Sequence, residues 1–196
     1  MRALSIIALA LMLPLASYAA ESEVTIKFNP QGGYGRFVPF PEIRNRNSLI
    51  IKLVRGMCLG TCPAYSIEIH GDGTIVYDGA ECVAISGQRR ARIDAAAIEK
   101  LYAAFRKADY FSLRDVYAAQ MTDMPAYVTT LAFDGRSKTV TDYRGDLVGM
   151  PHDVVGLEDM IDEAAGTERW VYAGGRTCNS QPVDDSLRHR RFVPIP

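Results

Sequence analysis

From Leu49 onward the apolar positions fall into two rhythms. Leu49 to Arg55 is mostly apolar, and Tyr65, Ile67 and Ile69 then alternate with Ser66, Glu68 and His70, the period of a half-buried strand. Gly71-Asp72-Gly73 predicts a tight turn into a strand over Thr74 to Asp78, because glycine accepts the positive φ such turns need. Glu81 to Ser86, after Gly79, reads as a third short strand. At Asp94, a good N-cap, the rhythm lengthens, and Ile98, Leu101, Tyr102 and Phe105 predict a helix over Ala95 to Ala108 with Glu99, Lys100, Arg106 and Lys107 facing outward. A second hairpin follows, Tyr127 to Phe133 and Lys138 to Tyr143 about an Asp134-Gly135 turn. A second helix is then expected from His152 to Ala165, with Val154, Leu157, Met160, Ile161 and Ala164 on its apolar side and Gly166 stopping it. The expected fold class is α+β: a single, mainly antiparallel sheet from two hairpin-plus-helix units, with the two helices packed on one face.

Outside this region the patterning changes. Arg2, the apolar run Leu4 to Leu15 and the small residues around Ser17 and Ala19 read as a secretory signal peptide over residues 1–19. The apolar run is shorter than the roughly 20 residues that cross a bilayer, and no later stretch is a second candidate. A retained membrane anchor is the competing reading. Residues 20–47 form a Gly/Pro-rich N-terminal arm after a short strand pattern at Val24 to Phe28; residues 48–172 form the α+β domain, and residues 173–196 a C-terminal tail. A periplasmic or secreted protein with no transmembrane segment in its mature chain is expected. Without the leader, 21 basic residues face 23 acidic ones, a net charge of −2 that argues against nucleic acid as a partner.

Two segments echo one another. Arg36-Phe37-Val38-Pro39-Phe40-Pro41 in the arm resembles Arg191-Phe192-Val193-Pro194-Ile195-Pro196 in the tail. The bland reading is chance likeness of two Pro-rich extended segments. The sharper one is that both occupy equivalent grooves or pair with each other.

Four cysteines, Cys58, Cys62, Cys82 and Cys178, all follow the leader, and an even count in an oxidising compartment implies two disulfides. The compact turn Cys58-Leu59-Gly60-Thr61-Cys62-Pro63 suits a structural clamp, which would stabilise by roughly 2 kcal/mol on a chain-entropy estimate. A redox pair would have two intervening residues at a helix start, whereas here three intervene and a strand follows. Tetrahedral zinc would want a second close pair of ligands. If Cys58 and Cys62 pair, Cys82 and Cys178 remain for each other. His70, His152 and His189 are isolated in sequence and read as surface or capping residues. Glu158, Asp159, Asp162 and Glu163 could hold a metal or an acid/base pair, but placed opposite the apolar stripe they read first as a solvated face. Gly32-Gly33-Tyr34-Gly35 lacks the strand and helix of a phosphate loop.

Cys58-x-Gly60-Thr61-Cys62-Pro63-x-Tyr65, then Gly71-Asp72-Gly73-Thr74 with Val76-Tyr77 and Gly79, resembles a bacterial family classified only as a domain of unknown function. Phe111-Ser112-Leu113, Tyr117, Thr122-Asp123 with Pro125, Thr129-Thr130, Lys138-x-Val140 with Tyr143, and Leu157-Glu158 through Ile161-Asp162 to Trp170 extend the resemblance over about residues 48–172. It implies an exported α+β domain with no established activity, cofactor or catalytic set; Cys82 is additional to the family's paired cysteines. The functional expectation is a non-catalytic, disulfide-stabilised envelope module that binds a protein, glycan or small ligand. Its candidate binding surface is Thr61, Tyr65, His70, Asp72 and Asp123. No cofactor, metal or catalytic residue is expected. The alternatives are a thiol–disulfide oxidoreductase using Cys58 and Cys62, or a hydrolase with an unrecognised site.

Overall fold

A computed structural model of the chain describes residues 33–173. The leader, the strand expected at Val24 to Phe28, Cys178 and the rest of the tail lie outside the described residues. Among the described residues seven strands form one sheet: β1 (Ile50–Arg55), β2 (Ala64–His70), β3 (Thr74–Glu81), β4 (Gly87–Arg92), β5 (Val116–Ala118), β6 (Tyr127–Phe133) and β7 (Arg136–Tyr143). Three helices accompany them: α1 (Ala95–Lys107), α2 (His152–Ala165) and the single-turn α3 (Glu168–Val171). The strand order is β4-β3-β2-β1-β6-β7-β5, antiparallel throughout except where β5 runs parallel to β7. The class is therefore α+β with a mixed, mostly antiparallel sheet.

Register explains the core. Pairing of Ile51 with Ile69 and Leu131, of Leu53 with Ile67, and of Ile67 with Tyr77 puts these side chains on one face, where all of them are buried. They form a single cluster with Ile98, Leu101 and Phe105 of α1 and Val154, Leu157 and Ile161 of α2, so both helices cover that face. The opposite face is lined by Lys52, Glu68, His70, Thr130 and Thr139, with Lys52 facing Glu68 across the β1–β2 pair. Caps match the residues that form them. Asp94 accepts the Ala97 amide at 2.8 Å, and Gly166, at φ 62°, ends α2. Among the described residues no helix is long and apolar enough to cross a membrane.

Two differences from the sequence pattern have physical causes. Glu81 to Ser86 is not a separate strand: β3 runs on to Glu81, and residues 82–86 form a loop. Ala84 and Ile85 donate to the Val171 and Trp170 carbonyls, and Ile85 accepts from the Tyr77 hydroxyl at 3.0 Å. The apolar run there packs against α3 and the Trp170 ring stacked on Tyr77 at 4.8 Å. The edge strand is instead the polar β4, whose amides pair with β3 from Gly87 to Arg92. The arm is held on the domain from Gly33 onward. Phe40 sits against Tyr102, Phe111 and Phe133, and Arg44 and Asn45 donate to the Asp134 carboxylate.

Candidate functional site

The sheet has two unlike ends. The hairpin end carries the tight turns at residues 71–73 and 134–135. The clamp end gathers the β1–β2 turn, the loop that enters β6 and the segment after β7. Cys58 and Cys62 are disulfide-bonded with Cα atoms 5.6 Å apart, which closes the β1–β2 turn. The neighbouring loop holds that turn from the side: Gly56 donates to the Ala126 carbonyl at 2.8 Å, and Leu59 donates to the Asp123 carbonyl at 3.3 Å. A β-carbon at Gly56 would lie 2.8 Å from the same Ala126 oxygen, so this close approach requires glycine. Cys82 is not a free thiol; Cys178, the partner expected for it, lies outside the described residues.

Beneath the turn lies a buried polar cluster centred on Arg55. Its inward phase follows from β1, in which Ile51, Leu53 and Arg55 share the core face. Arg55 Nε donates to Asp162 at 2.7 Å and Nη2 to Asp159 at 3.0 Å, Nη1 is 3.9 Å from Glu158, and the guanidinium lies 4.4 Å from the Tyr127 ring centroid. The Tyr65 hydroxyl donates to the other oxygen of Asp162 at 2.9 Å. Burial opposes the Arg55 charge, but the anions facing it, Asp162 first, outweigh it and hold the guanidinium above its ordinary pKa. Tyr65 is raised by burial and then by Asp162.

Two carboxyls here are raised above the ordinary carboxylate range. Glu158 is 4% exposed and its pKa is pushed up to about 9, first by burial and then by Asp142, with Arg55 pulling the other way. Asp142 is raised by burial, partly offset by the Gly145 amide at 2.5 Å. Asp159 and Asp162 already hydrogen-bond Arg55 directly, so a third charge on Glu158 would overfill the site with negative charge. Such a cluster can anchor α2 to the strand ends and keep the turn above it in one position. Among the described residues no group of three His, Cys, Asp or Glu side chains is arranged to hold a metal ion.

The expected binding-surface residues divide between the two ends. Thr61 and Asp123 are exposed at the clamp end, with Asp123 at φ 68°. Tyr65 lies below them but is buried rather than exposed, its hydroxyl committed to Asp162. His70 and Asp72 lie at the far end of β2. His70 Nε2 is 2.9 Å from Glu68, and Asp72 accepts from the Thr74 amide and hydroxyl, a turn contact. No pocket-like set joins all five.

The acidic helix residues correct the expected solvated face. Asp159 and Glu163 are exposed, yet Glu158 is buried and Asp162 half-buried. Position 158 lies four residues after Val154 and three before Ile161, on the same helical stripe as the apolar residues. That spacing was the available signal. Arg55, Tyr127 and Asp142 gave a comparable one, since each continues the inward phase of its strand.

Apolar side chains rim the same end. Leu59 is 81% exposed, Met57 58% and Met121 41%, all on the β1–β2 turn or the loop bonded to it. The family DUF6438, described as a domain of unknown function, matches residues 49–165. No curated protein matches the chain.

Proposed function

The chain belongs to the DUF6438 family, and from that premise we propose that it is a non-catalytic, exported binding module whose partner is a protein gripped by the clamp-end loops. The observation that carries this reading is Leu59, an 81% exposed side chain at the tip of a turn closed by a disulfide. Exposed leucine and methionine cost solubility, and a rigid turn that displays them loses little entropy on binding. Met57, Leu59 and Met121 act as apolar anchors; Thr61 and Asp123 supply the polar rim. Among protein, glycan and small ligand, the apolar anchors favour a protein. The leader over residues 1–19 supports a periplasmic or secreted location, and the motif around Cys58 supports a bacterial source.

The enzymatic readings find less support. A reactive thiol pair needs a nearby cation to stabilise thiolate, and the closest basic residue in sequence, Arg55, is committed to Asp159 and Asp162. A hydrolase could use protonated Glu158 as an acid, but its side chain is only 6% exposed and lies 3.9 Å from the Arg55 guanidinium.

Site-specific photocrosslinking in the envelope of the producing organism tests the proposal. A photoreactive residue at Leu59 is expected to give a discrete protein adduct, and one at Thr130 on the open sheet face none. Equal labelling at the two positions, or turnover in an insulin-reduction assay, overturns it.

A further inference from the structure

The echo between arm and tail acquires a physical meaning once the arm's docking is described. The Gly35 amide donates to the Ser112 carbonyl at 2.8 Å. Val38 exchanges two hydrogen bonds with the Ser112 side chain: its amide donates to Oγ at 2.9 Å, and its carbonyl accepts from Oγ at 3.2 Å. Two residues on, Phe40 enters a groove of aromatic side chains, with ring centroids 5.6 Å from Tyr102, 5.4 Å from Phe111 and 6.4 Å from Phe133. Pro39 and Pro41 flank this plug, hold the backbone extended and bring no N–H that the groove would have to satisfy.

What the groove reads is therefore short: a backbone amide and carbonyl, then proline, an apolar plug, and proline. The tail repeats that pattern at Val193-Pro194-Ile195-Pro196, preceded by the same Arg-Phe pair. Ile195 stands where Phe40 stands, apolar but without the ring. We propose that the groove of Tyr102, Phe111, Ser112 and Phe133 is a peptide site with a second occupant, residues 191–196 of the same molecule, which competes with residues 36–41. The arm prevails because Phe40 makes three edge or tilted ring contacts and lies 5.7 Å beneath the Arg106 guanidinium, which isoleucine would forfeit.

The connection allows this within one chain. Seventeen residues lie between Ala173 and Arg191, and the connection spans at most about 60 Å, more than the width of a domain of this size, roughly 35–40 Å. Tethering then favours the molecule's own tail over that of a second copy, since the tether holds the tail at an effective concentration on the order of millimolar. This inference is independent of the clamp-end proposal, because the groove includes Phe133, which adjoins the 134–135 turn at the hairpin end of the sheet.

A double-mutant cycle on the full-length chain decides it. In the wild type, Ile195→Ala or removal of residues 191–196 should leave the urea midpoint and the Ser112 and Phe133 amide resonances unchanged. In a Phe40→Ala background the same changes should shift those resonances and lower the midpoint, and tenfold dilution should not alter the result. Additive effects in a folded Phe40→Ala protein overturn the proposal. So does a response that vanishes on dilution, which would assign the site to a second copy. If Phe40→Ala does not fold, Phe40→Ile, which makes the two plugs identical, serves the same cycle: a tail-dependent shift supports competition and its absence refutes it.

Discussion

At the hairpin end of the sheet the carboxylates of Asp72, which is exposed, and of Asp134, whose side chain is 9% exposed, accept N–H groups, from Thr74 in one case and from Arg44 and Asn45 in the other. Those hydrogen bonds hold both below the ordinary carboxylate range. At the clamp end, Asp142 and Glu158 are buried beside one another and both are raised, first by burial. The same functional group is thus held low where backbone N–H groups meet it and is raised where burial outweighs its hydrogen bonds. Asp72 needs only Thr74, its neighbour in sequence, whereas Asp134 needs the arm docked to bring Arg44 and Asn45 to it. The clamp-end pair needs β1, β7 and α2 assembled around it, so its properties belong to the tertiary structure.

The largest expected effect breaks that comparison at its centre. Arg55→Ala leaves Asp162 half-buried and Glu158 buried with no guanidinium between them, and removing one partner of such a group costs about 3–5 kcal/mol. Urea unfolding at neutral pH measures it; a loss below about 1 kcal/mol would show that the cluster does not hold α2 to the strand ends. Next comes the clamp itself. Replacing Cys58 and Cys62 by serine together should cost about 2 kcal/mol, with the unfolding transition still cooperative, because the turn lies outside the core cluster. Loss of the cooperative transition would place the disulfide at the heart of the fold.

What the sequence revealed follows the same division. Both long helices, the two hairpins and the Cys58–Cys62 bridge were legible because each rests on local evidence: an Asp94 cap, a Gly166 stop, glycine-containing turns, a four-residue cysteine spacing. The Arg55 cluster was not, because its members come from β1, β2, β6, β7 and α2, and the inward phase of each says nothing of which others it will meet. The misplaced strand at residues 81–86 has a similar cause. An apolar run promised a strand, but Trp170, almost ninety residues later, took its backbone donors and its packing. β4 was hidden by its arginines, which suit an edge strand.

A smaller effect sharpens the contrast through pH. The folded-state pKa of Glu158, about 9, lies above its ordinary 4.5, so the folded protein keeps a proton that the unfolded chain releases. Its contribution to stability is complete below about pH 4.5, declines at up to about 1.4 kcal/mol per pH unit, and is gone above about pH 9. Glu158→Gln should match the wild type at pH 5, flatten the alkaline decline and exceed it at pH 9.5. Parallel stability curves for the two proteins would mean that the group is ionised in the fold.

The smallest effects lie at the hairpin end and carry the opposite sign. Asp134 is depressed, so its hydrogen bonds to the Arg44 and Asn45 amides are present above the ordinary carboxylate pKa and are lost as the pH falls through its folded value. Asp134→Asn should therefore weaken the acid dependence of unfolding while leaving the alkaline limb unchanged, the mirror image of Glu158→Gln. The Asp94 cap gives a reference at the same end of the molecule. Asp94→Ala removes the acceptor of the Ala97 amide and should cost about 1 kcal/mol at neutral pH. If Asp134→Asn instead altered the alkaline limb, the two ends would share a titrating network, and the separation between turn carboxylates and buried carboxyls would fail.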